Sequence, residues 1–323
     1  MAMKEAILGF FKQFEYEPVV TNSDKLTGVK KFVVAGMGGS HFAADFLLAV
    51  DSSVDLVVHK DYGLPTFSQS DLESRFIICS SYSGNTEEVI GAFCEGREKG
   101  LAVGAISVGG KLLELAKEAN APYVKVLDTG IQPRLALGFS FMALLKMIGR
   151  SDILEKSKEL AKLKAEDFEK EGRELASELK GFVPIIYSSA RNSALAFNWK
   201  IGFNETAKIP AFWNIFPELN HNEMTGFDAQ DATRDLSQKF SFVFLMDSDD
   251  HPKTQKRMEI TKKLYEKRGL PVHILSLKGD SRLEKLFVSS VIADWTAYHL
   301  GEAYGVETEE VPMVEEFKGL IGD

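Results

Sequence analysis

The chain has 323 residues, 45% of them hydrophobic and 26% charged, which is long and apolar enough for two ordinary globular domains. A formal net charge of −9 without any basic run excludes a nucleic acid or an anionic membrane as partner, because nothing is there to neutralise a run of phosphates. No apolar stretch reaches transmembrane length, and Met1 to Phe14 mixes Lys and Glu into its apolar residues where a secretory leader needs an uninterrupted core, so a cytoplasmic protein is expected.

The first half alternates short apolar runs with helical periods. Lys31–Ala35 is expected to form a strand, Gly36–Ser40 a turn and His41–Val50 a helix. Strands follow at Leu56–His59 and Phe76–Cys79, then a helix at Glu87–Lys99 closed by Gly100. Ala102–Ser107, Leu112–Ala119 and Tyr123–Val126 continue as strand, helix and strand before a helix at Arg134–Ile148. This alternation predicts a parallel sheet covered on both faces. Cys79 and Cys94 lack disulfide or zinc spacing and read as buried thiols, and the six scattered histidines show no metal-ligand pairing, so no cofactor is expected.

Residues 151–180 are densely charged, with apolar residues at helical intervals, and read as a linking helix or helical pair with a solvated face. The second half then repeats the first. Phe182–Tyr187, the turn Ser188–Asn192 and the helix Ser193–Ala207 match the first strand, turn and helix. Phe242–Met246 with the helix ending near Lys267, then Val272–Leu277 with Leu283–Leu300, complete the parallel. The segment Ile209–Leu236, rich in aromatics and bounded by prolines, reads as an insertion that forms an interface or a lid. The expected fold class is α/β, with two tandem domains at 1–150 and 181–323 joined by 151–180. Each is a mostly parallel, doubly wound, flavodoxin-like sheet flanked by helices.

Two loops of the first half carry chemistry. Between the strand at Phe76 and the helix at Glu87, the run Ser80-Ser81-Tyr82-Ser83-Gly84-Asn85-Thr86 places four hydroxyls around a helix N-terminus, where unpaired N–H groups and a partial positive charge attract phosphate. A capped helix with Thr86 as N-cap is the plainer alternative. In the second half the same place is held by Asp247, Ser248, Asp249 and Asp250, whose carboxylates would repel phosphate, so one phosphate site is expected, in the first half. The other loop, Gly36-Met37-Gly38-Gly39-Ser40-His41, fails as a dinucleotide fingerprint because His41 stands where the third glycine belongs. Adjacent Gly38 and Gly39, with Ser40 as a donor, suit close approach to a small ligand.

Together these loops resemble the sugar isomerase (SIS) domain family, and within it the tandem-domain bifunctional phosphoglucose/phosphomannose isomerase group. Four further segments carry the resemblance along nearly the whole chain: Pro133-Arg134-Leu135-Ala136-Leu137-Gly138, Phe203-Asn204-Glu205-Thr206-Ala207-Lys208, Pro217-Glu218-Leu219-Asn220-His221-Asn222-Glu223 and Glu316-Phe317-Lys318. The resemblance implies two SIS-type domains and an aldose–ketose isomerase that interconverts glucose 6-phosphate or mannose 6-phosphate with fructose 6-phosphate, without metal or nucleotide. It implies that Ser81, Ser83 and Thr86 hold the phosphate while Gly38, Gly39 and Ser40 contact the sugar end. Arg134 would steady the charge near O1 and O2, Glu205 would move a proton between C1 and C2, and His221 with Lys318 would assist ring opening. In this fold group the histidine can come from a neighbouring subunit, which implies a homodimer. His41 departs from the family pattern at the sugar end.

The residue types suit that chemistry. One carboxylate can take a proton from C2 and return it to C1 if an enediolate is held between the steps, and Glu205 follows apolar Trp199, Ile201 and Phe203, so partial burial would raise its pKa. A surface pair with Lys208 is the plainer alternative for Glu205. A fixed guanidinium stabilises charge on oxygen, and histidine passes protons near neutral pH. Rival functions are isomerisation of another sugar phosphate and a non-catalytic sugar-phosphate regulator. Glu205, His221 and Lys318 together count against the regulator, as does the lack of a basic helix-turn-helix segment.

Overall fold

The structure is a computed structural model that describes residues 3–321. Met1, Ala2, Gly322 and Asp323, which the expected domain ranges include, lie outside the described residues. The chain divides into two compact units, one of Leu8–Lys164, the other of residues 3–7 together with 165–321. Among the described residues no helix is long and apolar enough to cross a membrane.

The first unit holds a six-stranded sheet. Its strands are β1 (Val20–Thr21), β2 (Lys31–Ala35), β3 (Asp55–His59), β4 (Phe76–Ser80), β5 (Ala102–Ser107) and β6 (Tyr123–Lys125), in the spatial order β1-β6-β5-β4-β2-β3. All neighbours are parallel except β1, which pairs antiparallel with β6. Strands β2 and β4 are almost wholly buried, as apolar runs covered on both faces must be. One such layer joins Val33, Ile77, Cys79, Val103 and Ala105 to Val89, Phe93 and Leu112. Burial raises the Cys79 thiol well above its ordinary range, whereas Cys94, expected to be buried, is only half-buried.

The second unit repeats the order with four parallel strands: β7 (Val183–Ser189), β8 (Phe212–Phe216), β9 (Phe240–Met246) and β10 (Val272–Ser276), arranged β10-β9-β7-β8. Its core is aromatic, built on Tyr187, Phe216, Phe242, Phe244 and Tyr265. Strand β8 corrects the sequence reading. The run Phe212-Trp213-Asn214-Ile215-Phe216 is the edge strand matching β3, and only the residues after it lack a counterpart in the first unit. An edge strand leaves half its side chains in solvent, and Phe212 and Trp213 are 54% and 37% exposed, which made the run resemble a loop.

The charged segment 151–180 is shared between the units. Ile153, Leu154 and Leu160 are buried in the first, where Lys158 Nζ also lies 2.6 Å from Glu17 Oε1. Leu175, Ala176 and Leu179 of the Glu169–Leu179 helix are buried in the second, where Gly172 lets this helix approach Trp295 on the long Arg282–Tyr304 helix. Met3, Ala6 and Ile7 are buried with that second unit, and Lys4 Nζ lies 3.5 Å from Glu169.

In both sheets the first core strand separates the second from the third, so each has a switch point between β2 and β4 or between β7 and β9. Open parallel sheets bind ligands at the carboxyl ends of strands beside such a point. The two loops singled out in the sequence follow β2 and β4.

Candidate active site

The hydroxyl loop leaves β4 already locked by its neighbours. Ser81 N–H donates to Ile106 O at 3.1 Å, and Tyr82 O accepts from Val108 N–H at 3.0 Å. Gly84 O accepts from Leu112 N–H at 2.9 Å, and Asn85 Oδ1 accepts from Lys111 N–H at 3.0 Å. Residues 108–111, which lie between the expected strand and helix and carry no role in the sequence, together with Leu112 therefore fix the loop from the side of β5. The Ser107-Val108-Gly109-Gly110 turn was the available signal.

Within the loop the three expected phosphate ligands stand at different depths. Ser81 is fully buried, with Oγ accepting from Gly84 N–H at 3.0 Å and sharing a 2.8 Å hydrogen bond with Thr86 Oγ1. Thr86 is half-buried and Ser83 is exposed. Thr86 precedes the Glu87–Glu98 helix, yet its side chain makes no capping bond. The plain N-cap alternative fails, because the Thr86 hydroxyl turns to Ser81 and leaves the N–H groups of the first helical turn without a side-chain acceptor. An uncapped N-terminus offers an incoming anion those donors and the positive end of the helix dipole.

The glycine loop forms a 3₁₀ turn, Gly38–His41. A Cβ on Gly39 would lie 3.2 Å from Arg134 Cα and N, so glycine lets this loop press against the backbone that carries Arg134. Ser40, 8% exposed, ties the two loops together. Its Oγ accepts from Tyr82 N–H at 3.0 Å, and its carbonyl accepts from Ser80 Oγ at 2.9 Å. His41 turns its ring towards its own helix, with Nδ1 2.5 Å from Asp45 Oδ2.

Arg134 sits in the 3₁₀ turn Pro133–Leu135 and is 6% exposed. Its turn is held by Gln13, which nothing in the sequence singled out. Gln13 Nε2 donates to Leu135 O at 2.7 Å, and its Oε1 accepts from Phe139 N–H at 3.1 Å, at the start of the Leu137–Met147 helix. Gly38, Gly39, Ser40, Ser81, Ser83, Thr86 and Arg134 thus belong to one connected group at the carboxyl ends of β2 and β4.

The second unit carries the other three expected residues on three separate elements. Glu205, half-buried, ends the Ser193–Glu205 helix, which is anchored by buried Trp199 through Nε1 donating to Ser289 Oγ at 3.0 Å. Lys208 Nζ donates to the backbone carbonyl of Glu205 and, at 2.6 Å, to that of Glu310. A cation there complements the helix C-terminus.

His221 closes the 3₁₀ turn Glu218–His221 and is exposed. Buried Leu219 and half-buried Asn220, whose Nδ2 donates to Thr261 Oγ1 at 2.9 Å, hold the turn from one side. Glu223 holds it from the other, accepting from Tyr187 OH and Asn214 Nδ2. Burial, then the neighbouring Tyr265 and Glu223, push the Tyr187 hydroxyl pKa far up, so Tyr187 acts as a neutral donor. Lys318 lies on the Pro312–Ile321 helix, which buries no side chain, and its Nζ is 2.7 Å from Glu315 Oε1.

In the acidic loop after β9, whose carboxylates are expected to repel phosphate, the charge of Asp247 is neutralised by neighbours. Asp247 is buried and paired with Arg282 and Lys285, at 2.9 and 2.7 Å.

Comparison with known proteins agrees with this architecture. The family described as "Bacterial phospho-glucose isomerase C-terminal SIS domain" matches residues 168–321. A bifunctional phosphoglucose/phosphomannose isomerase of Aquifex aeolicus is 35% identical over 97% of this chain and 96% of its own. One of Thermoplasma volcanium is 32% identical over 99% and 100%. The C-terminal domain of glucosamine-fructose-6-phosphate aminotransferase from Francisella tularensis has the same fold, with a TM-score of 0.68 at 12% identity over 96% of each chain. With a full-length relative this similar and the SIS loops in place, the chain belongs to the bifunctional phosphoglucose/phosphomannose isomerase family of SIS-domain proteins.

Proposed function

We propose that the protein is an aldose–ketose isomerase that interconverts glucose 6-phosphate, mannose 6-phosphate or both with fructose 6-phosphate through an enediolate. The observation that carries the reading is the uncapped N-terminus of the Glu87–Glu98 helix at the β2/β4 switch point, beside the hydroxyls of Ser83 and Thr86. Membership of a family whose relatives bear this activity in their names supports it.

The substrate phosphate binds the first-turn N–H groups with Ser83 and Thr86. Ser81 acts from below, by holding the Thr86 hydroxyl and the Gly84 N–H in place. His221 and Lys318 pass a proton from the C1 hydroxyl to the ring oxygen, which opens the sugar. Glu205 then takes the proton from C2, the C–H electron pair becomes the C1–C2 double bond, and the carbonyl electrons settle on O1. Arg134 stabilises that oxyanion. Glu205 returns the proton to C1 while the O2 proton passes to O1, so the ketose forms with no net gain or loss of atoms or electrons.

We also infer a cytoplasmic homodimer. Met313, Phe317 and Leu320 are 82%, 60% and 79% exposed at helical spacing on the Pro312–Ile321 helix, an apolar stripe suited to burial against a second copy. Incubation with fructose 6-phosphate and a chelator tests the activity. Formation of glucose 6-phosphate, mannose 6-phosphate or both is expected, and absence of both overturns the reading.

A further inference from the structure

The loop after β9 holds in the second sheet the place that the hydroxyl loop holds in the first. Strand β4 lies between β2 and β5, and β9 between β7 and β10. The turns share a backbone form, since Gly84 N–H donates to Ser81 O at 3.2 Å and Asp250 N–H to Asp247 O at 3.1 Å. In each, the first side chain also accepts from the turn: Ser81 Oγ from Gly84 N–H at 3.0 Å, and Asp247 Oδ1 from Asp249 N–H at 3.0 Å. Asp247 is therefore the counterpart of Ser81.

The groups around Asp247 are those of an oxyanion site. Lys285 Nζ lies 2.7 Å from its Oδ1, while Arg282 Nη1 at 2.9 Å, Asn192 Nδ2 at 3.4 Å and Arg191 Nη1 at 3.9 Å face its Oδ2. Lys285 and Arg282 lie on the first turn of the Arg282–Tyr304 helix. Burial would raise the Asp247 pKa, but the bonds from Lys285 and Asp249 N–H, with the charges of Lys285 and Arg282, outweigh it and hold the carboxyl below its usual range. Two further carboxylates share the cluster. Asp249 Oδ2 is 2.8 Å from Lys285 Nζ, and Asp250 Oδ1 accepts from Ser189 Oγ at 2.7 Å. Three cations then face three carboxylates, and removal of the Asp247 charge leaves a positive excess in a buried place.

The neighbouring helix N-terminus is closed, in contrast to that of Glu87–Glu98. The Pro252–Glu266 helix begins with proline, which has no N–H, and the His251 ring accepts from Lys253 N–H at 3.1 Å. Side-chain cations have replaced helix N–H groups as the anion-holding elements of this copy.

We propose that the second unit contains an oxyanion site whose ligand is the chain's own Asp247 carboxylate, and that inorganic phosphate takes the carboxylate's place when it is removed. A tethered ligand is present at a high effective concentration, so it excludes free phosphates and confines sugar-phosphate binding to the first unit.

The test uses Asp247→Ala and Asp247→Asn in the full chain, with inorganic phosphate as probe at constant ionic strength. Equilibrium dialysis should find one more phosphate bound per chain than in the wild type, and the difference does not depend on what the first unit binds. The thermal midpoint of each variant should rise saturably with phosphate and not with chloride. Lys285→Met added to Asp247→Ala should abolish the extra phosphate. Folded variants with the wild-type phosphate number overturn the proposal, as does extra phosphate that survives Lys285→Met. Variants that remain unfolded in saturating phosphate also overturn it, because they show that the carboxylate is a structural ion-pair partner which an oxyanion cannot replace.

Discussion

Gly84 and Gly109 approach so closely that a Cβ on Gly84 would stand 1.9 Å from the Gly109 carbonyl oxygen. Gly84 also has φ of 77°, in the left-handed region where a side chain is strained. The hydroxyl loop is thus wedged against the loop after β5, which leaves no room for a side chain at its turn. Gly84→Ala should force the loops apart and raise KM for the phosphorylated sugar by roughly tenfold or more, with a stability loss of about 1–3 kcal/mol. Gly91→Ala is the control. It lies in the Glu87–Glu98 helix with open space around it, and should stabilise by about 0.5–1 kcal/mol without changing KM. Initial rates and urea denaturation of both variants measure the contrast.

Ser83 and Thr86 differ from Ser81 in exposure, and their substitution should differ in effect. Ser83→Ala with Thr86→Ala should raise KM, with a stability loss of about 1–2 kcal/mol that comes from Thr86, whose hydroxyl bonds buried Ser81 Oγ, and little from exposed Ser83. Ser81→Ala removes a buried acceptor of Gly84 N–H and should cost about 1–3 kcal/mol in stability as well. An unchanged KM in the double variant would move the phosphate elsewhere.

For Glu205 the expected signature is a split between binding and chemistry. Glu205→Gln keeps the shape of the helix end that Lys208 holds by its backbone bond, so binding should stay within about tenfold of wild type. General-base catalysis is lost, and kcat should fall by about 10²–10⁴-fold or more. Exchange of the C2 proton with solvent, followed by NMR in deuterated water, should disappear with it.

The sequence disclosed the strands that position the site and concealed the contacts that brace it. Lys31–Ala35 and Ala102–Ser107 are found where they were expected, because a short β-branched run bounded by turn residues is too short for a helix and too apolar for a loop. Strand β8 was hidden by its exposure, Val20–Thr21 by its two residues, and the Pro312–Ile321 helix by burying nothing. Gln13 acts on Leu135 from 122 positions away, and Arg282 reaches Asp247 across 35. No local pattern encodes such pairs, so the acidic loop looked repulsive when its cations lay out of view on a later helix.

Those cations predict a pH dependence. Asp247 has its folded pKa held below the unfolded value of about 3.9. Its contribution to stability is therefore complete above about pH 4 and is lost as pH falls below that value towards the folded pKa. Asp250 has the opposite sign. Burial raises its folded pKa, so its contribution declines as pH rises above the unfolded value. The difference in unfolding free energy between wild type and Asp247→Asn should be largest near neutrality and shrink below about pH 4. The corresponding difference for Asp250→Asn should change in the reverse direction. Urea titrations from pH 3 to pH 7 compare the curves.

Gln13 sets the last expectation, because it acts on Arg134 only through the backbone. Its amide donates to Leu135 O and accepts from Phe139 N–H, on either side of the turn between Arg134 and the next helix. Gln13→Leu fits a similar volume but leaves a buried carbonyl and a buried N–H without partners, at a cost of about 1–3 kcal/mol for each. If the guanidinium stabilises charge that develops during enediolate formation, a loosened turn harms the transition state more than the bound substrate. The expected result is a kcat reduced by about tenfold or more, with KM changed less than threefold. Gln13→Glu offers Phe139 N–H an acceptor and, as a neutral acid, Leu135 O a donor, so it should recover part of the stability at a pH low enough to keep this buried carboxyl protonated. Equal loss of kcat and stability in both variants, with no split from KM, would reduce Gln13 to a structural residue.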